Sequence, residues 1–344
     1  MAALFAIVIP MRKPAYLQKG DVVRFVAPSF GVTTEPYMSR YARAYKNWKR
    51  FGYNVEEGPN VHLNDGVAAS SSPEERAKEI MEAFSSDASL ILSVGGGETM
   101  CEILPYIDFA KLKELPPKWF MGYSDNTNLT FPLTVLCNTL AVYGPCATQF
   151  FQKEPRLSEK DALRLLQGEK DFEGYPLYSK TKNNPLRPFL PYRLSKKKII
   201  TPINYEEPMK GTLLGGCLDC LITLCGTKYD EVRRFNAEHK EGVIWFLEAC
   251  DLSPLGIRRA LFQLKEAGWF DNAKGFLFGR PICIESEMMG VDHINAVTDI
   301  LSDLGKPILL DVDLGHIPPM LPIISGAKAV ASYQNENIYL HYEG

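Results

Sequence analysis

Short apolar runs alternate with amphipathic stretches through the first half of the chain. Three mostly apolar runs, each followed by Pro, Gly or Ser, predict buried strands at Val22–Ala27, Leu90–Val94 and Trp119–Tyr123. The segments beside them have helical spacing or composition and predict helices at Pro36–Phe51, Pro73–Phe84 and Asn126–Cys137. Strands that alternate with helices predict βαβ units and a mainly parallel sheet.

The second half resumes this alternation at Gly211. The remaining predicted elements are strands at Val243–Leu247, Gly275–Phe278 and Ile308–Leu310, helices at Pro254–Gly268 and near His293–Leu304, and a closing hairpin of Val330–Tyr333 with Ile338–Tyr342. We therefore expect an α/β protein of two domains, an N-terminal parallel-sheet domain over 1–174 and a C-terminal α/β domain over 208–344.

A basic, proline-rich stretch separates the two predicted domains. Between Tyr175 and Tyr205 there is no acidic residue, whereas lysines and arginines occur at 180, 182, 187, 193 and 196–198 and prolines at 176, 185, 188, 191 and 202. This composition predicts a connection over 175–207. A solvated linker is the favoured interpretation. The alternative is that the charge guides an anionic substrate, with Phe189 and Tyr192 stacking on a planar group.

Composition and charge indicate a folded protein and argue against a membrane-spanning or nucleic-acid-binding one. With 344 residues, 46% apolar and 23% charged, the chain is typical of a folded protein, and a net charge of −3 does not indicate nucleic-acid binding. No apolar run has the length of a membrane span. The apolar start Met1–Pro10 precedes Arg12 and Lys13, the reverse of a secretory signal, so it predicts a disordered or strand-forming start. The eight scattered cysteines predict a reduced, cytoplasmic protein.

The sharpest chemical signal is Gly122-Tyr123-Ser124-Asp125-Asn126, where a predicted strand runs directly into a helix. A nucleophile elbow has this arrangement, because the sharp turn exposes the serine hydroxyl and the next N–H can donate to an oxyanion. Asn126 stands where the elbow motif has its last glycine. The alternative is a helix cap formed by Ser124 or Asp125.

A serine nucleophile needs a base and a group that orients the base. Of the five histidines, His316 lies on a Gly/Pro-rich loop after a predicted strand, although a surface histidine has the same pattern. Glu248 closes the apolar run Val243–Leu247 and is the candidate acid. Asp251 is its competitor, but the following Ser253-Pro254 favours a helix start there.

Two further motifs leave alternatives open. The glycines Gly95-Gly96-Gly97 follow a predicted strand and could supply an oxyanion donor or cradle a phosphate, as in sugar and NAD kinases. Cys217 and Cys220 have metal-knuckle spacing, but no second pair or histidine cluster accompanies them, so buried helix cysteines are favoured. We expect neither a metal nor a cofactor.

Together these segments resemble the LD-carboxypeptidase family of serine peptidases, which includes the microcin C self-immunity proteins. The resemblance follows the chain in order through Leu17-Gln18-Lys19-Gly20-Asp21, Ala27-Pro28-Ser29, Gly95-Gly96, Leu104-Pro105-Tyr106-Ile107-Asp108, Gly122-Tyr123-Ser124-Asp125, Tyr143-Gly144-Pro145, Gly211-Thr212-Leu213-Leu214-Gly215-Gly216, Leu247-Glu248 and Asp313-Leu314-Gly315-His316.

The resemblance implies a catalytic triad of Ser124, Glu248 and His316, with oxyanion donors at the N–H groups of Gly96 and Asp125. It also implies a site at the interface of the two domains, usually in a homodimer. Gly95, Tyr143 and Cys217 are candidate substrate contacts. The expected partner is a small peptide or peptide-nucleotide substrate, with neither nucleic acid nor membrane involved.

The substrate is less sharply indicated than the class of enzyme. Murein-recycling members usually carry arginine where this chain has Val94, and His-Gly-Pro where it has Tyr143-Gly144-Pro145, which is closer to the microcin-immunity branch. That branch carries a tryptophan in the middle loop, whereas none lies between Tyr175 and Tyr205 here, and Cys217 replaces the usual asparagine. Amide cleavage in murein-type L,D-peptides ranks first and cleavage of microcin-like conjugates second.

Overall fold

A computed structural model describes residues 10–180 and 186–344. The predicted start at residues 1–9, as well as Lys182 and Pro185 of the basic stretch, lies outside the described residues.

From residue 10 onward, the described part of the first half forms six strands and five α-helices in the alternating order that the sequence predicts. The strands are β1 (Val22–Val26), β2 (Asn54–Glu57), β3 (Leu90–Ser93), β4 (Trp119–Gly122), β5 (Ala141–Tyr143) and β6 (Asp171–Glu173). The helices are α1 (Tyr37–Arg50), α2 (Pro73–Ser85), α3 (Phe109–Glu114), α4 (Thr127–Cys137) and α5 (Leu157–Leu166). The helix predicted at Pro73–Phe84 is confirmed as α2, and its start is capped, since Ser72 accepts a hydrogen bond from the N–H of Glu75 and Pro73 opens the helix.

The remaining chain adds ten strands and four helices within the described residues. The strands are β7 (Leu177–Tyr178), β8 (Lys196–Lys197), β9 (Thr201–Ile203), β10 (Met209–Cys217), β11 (Val243–Glu248), β12 (Ala273–Gly279), β13 (Ile308–Val312), β14 (Ile323–Ser325), β15 (Lys328–Gln334) and β16 (Asn337–Tyr342). The helices are α6 (Leu218–Leu224), α7 (Val232–Glu238), α8 (Pro254–Glu266) and α9 (His293–Leu301). The predicted closing hairpin is confirmed by the antiparallel pairing of β15 with β16.

Two large sheets organise the molecule. The first has the order β14-β5-β4-β3-β1-β2, in which every pair is parallel except β14 with β5. The second has the order β6-β16-β15-β10-β11-β12-β13-β9, with a parallel centre formed by β10 to β13 and antiparallel flanks. The expected two-domain α/β fold is confirmed, with mixed sheets in place of purely parallel ones.

The two sheets share strands and core. β14 comes from the C-terminal half and pairs in the first sheet, whereas β6 comes from the N-terminal half and pairs in the second. One apolar cluster contains side chains of both sheets, such as Met121 and Phe246. The halves are therefore packed as interlocked units, and this arrangement brings the end of β4 close to the end of β11.

The basic connection differs from a solvated linker. Lys198 and Ile200 are each only 4% exposed, and the segment around Pro202 forms β9, which pairs with β13 at the edge of the second sheet. The favoured interpretation is wrong for this part of the connection. A run of lysines has no local signal for burial, because the carboxylate that compensates Lys198 lies more than a hundred residues away at Asp313.

Candidate active site

Ser124 lies on a sharp turn between β4 and α4. Its φ is 63°, a left-handed conformation that is uncommon for a residue with a side chain and typical of a strained functional turn. The turn also requires glycine at position 122, two residues before Ser124, because a Cβ there would lie 2.6 Å from Cγ of Asn126. The Asn126 side-chain amide donates to the carbonyls of Gly95 and Tyr123 at 2.9 Å each. Asparagine thus fixes the turn at the position where the elbow motif has glycine.

Three side chains from distant parts of the sequence form a continuous hydrogen-bonded chain. Nε2 of His316 lies 2.9 Å from Oγ of Ser124, and Nδ1 of His316 lies 2.9 Å from Oε2 of Glu248. A neutral imidazole protonated at Nδ1 satisfies both contacts, since Nε2 then accepts from the serine hydroxyl. Glu248 approaches closely because Gly315 has no side chain, and a Cβ there would lie 2.5 Å from Oε2.

The ends of two strands position the acid and the base. Glu248 is the last residue of β11 and is fully buried, whereas His316 follows β13 on a loop that also contains Gly315. The competing acid Asp251 is exposed, and its N–H donates to Asp219 at 2.9 Å. The carboxylate that contacts His316 is therefore that of Glu248.

Burial and charge act in opposite directions on this pair. Burial disfavours the imidazolium of His316, but the Glu248 carboxylate and hydrogen bonds to Glu248 and Cys250 together raise the pKa of His316 well above its usual range. Burial likewise disfavours the carboxylate of Glu248, but His316 and hydrogen bonds from neighbouring groups, including Tyr143, lower its pKa below the usual value. The ionised Glu248 carboxylate thus stabilises the imidazolium of His316, an arrangement that suits a residue acting as a base.

Tyr143 and Cys217 lie beneath Ser124 and Glu248 and do not line the cleft beside them. The Tyr143 hydroxyl donates to Oε1 of Glu248 and accepts from the N–H of Ser124 at 3.1 Å, and the side chain is fully buried. Cys217 is 1% exposed, and its Sγ lies 3.3 Å from Asp219. The expectation of direct substrate contacts at these residues does not fit their positions, because β5 and β10 turn both side chains into the interior.

The glycine loop after β3 faces the serine. A Cβ on Gly96 would lie 3.2 Å from Oγ of Ser124 and 3.9 Å from the nitrogen of Asp125, so the backbone of the loop approaches the serine closely here. Gly95 has a supporting position, since its carbonyl accepts from Ser93 and Asn126. The loop thus borders the Ser124 hydroxyl and the N–H of Asp125.

The Asp125 side chain holds this loop against the elbow. Its carboxylate accepts hydrogen bonds from the Ser29 hydroxyl, from the N–H of Met100 at 3.0 Å and from the Asn128 amide at 2.9 Å. Burial raises the pKa of the Asp125 carboxyl despite these bonds. The residue joins the loops that follow β1, β3 and β4, and it does so through contacts other than the helix cap considered from the sequence.

A buried ionic cluster lies behind the His316 loop and was missed by the sequence analysis. Asp313 accepts from Lys198 at 2.6 Å, from Arg280 at 2.7 Å and from the N–H of Tyr175 at 2.8 Å. The side chains of Asp313, Arg280 and Lys198 are 0%, 1% and 3% exposed. The only sequence signal was the position of Asp313, three residues before the candidate base.

Ser124 and His316 line a cleft of about 260 Å³. The glycine loop, α1, the elbow and the basic connection form its walls. The lining residues are Phe30, Tyr37, Arg40, Gly95, Gly96, Gly97, Glu98, Tyr123, Ser124, Cys146, Thr148, Gln149, Tyr192, Cys250 and His316. Of the two aromatic residues considered for stacking, Tyr192 lines this cleft, and Phe189 instead lies under the guanidinium of Arg43.

The sequence patterns for a metal knuckle and for a membrane span can be compared with the described part of the chain. Within residues 10–180 and 186–344, no three His, Cys, Asp or Glu side chains form a group that could hold a metal ion. Cys220, the partner of Cys217 in the knuckle-like pair, directs its Sγ toward the carbonyl of Ser124 at 3.6 Å. No helix in these same ranges is long and apolar enough to cross a membrane.

Comparison with known proteins places both halves of the chain in one group. Residues 23–144 match the LD-carboxypeptidase N-terminal domain, and residues 210–330 match the LD-carboxypeptidase C-terminal domain. The probable murein peptide carboxypeptidase of Bacillus subtilis is 27% identical over 92% of this chain and 90% of its own. The microcin C7 self-immunity protein MccF of Escherichia coli is 24% identical over 94% of both chains. A structure of MccF in complex with glutamyl sulfamoyl guanosine has a TM-score of 0.82 at 23% identity, covering 97% of this chain and 99% of that one.

Proposed function

Because the chain belongs to the LD-carboxypeptidase family of serine peptidases, we propose that Ser124, His316 and Glu248 are its catalytic triad and hydrolyse an amide bond near a free carboxylate. The observation that carries this proposal is the unbroken hydrogen-bonded chain from Ser124 Oγ through the imidazole to Glu248, with the serine on a strained elbow. A weak nucleophile becomes reactive when a base and an orienting acid are arranged in this way.

The reaction proceeds in two halves. Ser124 Oγ attacks the carbonyl carbon while Nε2 of His316 takes the hydroxyl proton, and Glu248 stabilises the imidazolium. The N–H groups of Gly96 and Asp125 stabilise the oxyanion. The imidazolium then gives its proton to the leaving amine, and the C–N bond breaks to leave an acyl-enzyme. Water, deprotonated by the same imidazole, releases the acid and restores Ser124.

The substrate that we place first is a murein-type L,D-peptide. The similarity to the probable murein peptide carboxypeptidase of Bacillus subtilis supports this choice, since it extends over nine-tenths of both chains. A cleft of about 260 Å³ has the scale of a few amino-acid residues rather than of a folded protein. A short peptide with a free carboxylate fits these features.

A peptide-nucleotide conjugate is the second candidate. Tyr192 lines the cleft and offers an aromatic ring, although the connection carries no tryptophan between Tyr175 and Tyr205. The solved MccF structure with glutamyl sulfamoyl guanosine, which has the same fold, supports this alternative. In both candidates the triad breaks an amide bond by the same steps.

One experiment separates the two substrates. Purified protein and its Ser124→Ala variant are incubated in parallel with an L,D-tetrapeptide and with glutamyl sulfamoyl adenosine, and the products are followed by mass spectrometry. Loss of the terminal residue from the tetrapeptide, absent with the variant, supports the first candidate. Cleavage of the adenosine conjugate alone overturns that ranking and leaves the triad in place. Cleavage of neither contradicts both substrate proposals.

The assembly and the domain limits are proposals as well. We propose that the chain acts as a homodimer with an N-terminal unit over 1–174 and a C-terminal unit over 208–344, joined by the connection. β14 from the C-terminal unit pairs in the first sheet, and β6 from the N-terminal unit pairs in the second. These limits therefore divide the chain by sequence position, and each sheet contains one strand from the other unit. A mass in solution of twice 38.6 kDa, measured by light scattering, is the expected result for the dimer.

A further inference from the structure

A second pocket, of about 60 Å³, adjoins the cleft at His316. Tyr123, Gln149, Tyr192 and His316 line both spaces, whereas Ser124 lines the cleft and not the pocket. The start of α5 and the loop that follows His316 contribute to the other walls of the pocket. A substrate whose reacting carbonyl lies at Ser124 can therefore extend a neighbouring group past His316 into this pocket.

The pocket contains one cationic and one anionic side chain besides His316. Among the described residues that line it, Arg156 is the only lysine or arginine, and Glu159 is the only aspartate or glutamate. Both stand at the start of α5, where Leu157 has a left-handed backbone conformation with a φ of 33°. Such a conformation is uncommon for leucine, and residues of this kind cluster at active sites and ligand-binding sites.

Neither charge has an ion-pair partner in the described structure. Arg156 and Glu159 do not pair with each other or with any other residue of the ranges 10–180 and 186–344. Arg156 is exposed, whereas Glu159 is partly buried. Burial raises the pKa of the Glu159 carboxyl to about 7, although two backbone N–H groups and the Arg156 charge lower it. A carboxylate removed from water without an ion-pair partner gains from a cation that a ligand supplies.

The presence of both charges selects the class of ligand. An ammonium group alone would be attracted to Glu159 and repelled by Arg156, and a carboxylate alone would meet the reverse. A group with an ammonium and a carboxylate on one carbon, as in a free amino acid, offers each charge to the opposite side chain. Its carboxylate can accept two hydrogen bonds from the guanidinium fork.

We infer that Arg156 and Glu159 form a subsite for a zwitterionic amino-acid group of the substrate. The inference rests on the proposed function and names the substrate class for it. In an intact peptide the amine of the leaving residue belongs to the scissile amide, so this residue offers a carboxylate and no ammonium. The zwitterion must therefore end the side chain of a retained residue. A diaminodicarboxylic acid, such as 2,6-diaminopimelate, has such a side chain.

Binding to the inactive Ser124→Ala protein tests the inference without turnover. Calorimetry compares three L,D-tetrapeptides that differ only in the residue before the terminal D-alanine. This residue is 2,6-diaminopimelate with both charges, lysine with the ammonium alone, or 2-aminopimelate with the carboxylate alone. We expect the diaminopimelate peptide to bind about tenfold to a hundredfold more tightly than either of the others, the range of one or two charge-assisted hydrogen bonds.

Each substitution in the pocket should remove one of these two preferences. Arg156→Gln should abolish the preference over the lysine peptide and keep the preference over the 2-aminopimelate peptide, and Glu159→Gln should do the reverse. Lys160→Gln and Glu154→Gln are the matched controls, since both side chains are exposed near the same turn and neither lines the pocket. Both controls should keep both preferences.

Several results would overturn the inference. These are equal binding of the three peptides, preferences that survive Arg156→Gln and Glu159→Gln, and an equal weakening of all three peptides in these variants, which would indicate a disturbed α5. Binding of free D-alanine that both variants lose would assign the pocket to the released amino acid instead of the side chain. Failure of the proposed function is recognised separately, because a fluorophosphonate probe that does not label Ser124 in the unmodified protein contradicts the triad whatever the peptides do.

Discussion

The hydroxyl of Tyr143 donates a hydrogen bond to Glu248 and accepts one from the backbone N–H of Ser124. One buried phenol thus joins the acid at the end of β11 to the elbow at the end of β4. It fixes the carboxylate that orients His316 and also restrains the strained turn that presents the serine.

Tyr143→Phe should lower kcat/KM by about tenfold to a hundredfold, since a hydrogen bond to a charged group contributes about 1.5 to 3 kcal/mol. The loss should fall on kcat, with KM little changed, because the side chain does not reach the cleft. Steady-state kinetics check this expectation. Tyr175→Phe is the control, since its buried hydroxyl bonds to Asp161 at 2.7 Å, outside the triad. A rise in KM alone would indicate a substrate contact instead.

The pH dependence follows from the raised pKa of His316. The imidazole must be neutral to accept the serine proton, so kcat/KM should fall as the pH drops through a pKa above the usual 6.5. Glu248→Gln removes the charge that favours the imidazolium, and burial then lowers the pKa of His316. The acid limb of the profile should move to lower pH, while the plateau falls by about 10² to 10⁴. An acid limb that stays in place or rises would contradict the pairing.

Gly96→Ala tests the oxyanion loop. The added Cβ would lie 3.2 Å from Ser124 Oγ, so the serine must shift away from His316 or the loop must move. Loss of one oxyanion donor typically costs about 10² to 10³ in kcat, and we expect a decrease of that order. Steady-state kinetics give the decrease in kcat, and a thermal unfolding curve of the same variant shows whether it is folded. Unchanged kcat in the folded variant would exclude Gly96 from the site.

The ionic cluster behind the base predicts a stability effect. Asp313→Asn leaves Lys198 and Arg280 buried without their shared carboxylate, and the free energy of unfolding should fall by about 3 to 5 kcal/mol. Glu336→Gln breaks the neighbouring exposed pair with Lys197 and should cost at most about 1 kcal/mol. Chemical denaturation of both variants checks the difference. An equal loss in the free energy of unfolding for the two variants would mean that the buried cluster stabilises the protein no more than an exposed ion pair does.

Local sequence patterns predicted the elements that carry the proposed triad. Ser124 and Glu248 each stand at the end of an apolar run, and β4 and β11 form there as expected. His316 follows the predicted strand that forms β13. Because the parallel strands β11 and β13 end at the same edge of the second sheet, Glu248 and His316 meet although they are far apart in sequence. Ser124 reaches them from the end of β4 in the first sheet. The structure brings these three side chains together.

The features that the sequence did not predict depend on long-range contacts. The burial of Lys198 depends on Asp313, and the role of Tyr143 depends on Glu248, 105 residues away. The short strands β6 and β14 carry no periodicity of their own and are defined by the sheets that they join. Side-chain periodicity reports which face of an element is buried, but it does not report which partner buries it.

The most direct test of the central claim is the turnover of Ser124→Ala with the substrate that the unmodified protein cleaves. We expect kcat to fall by about 10⁴ to 10⁶ while the thermal unfolding curve is unchanged, since removal of a triad nucleophile leaves only binding and the oxyanion donors. Turnover within a few-fold of the unmodified protein, in a variant that is fully folded, would contradict it.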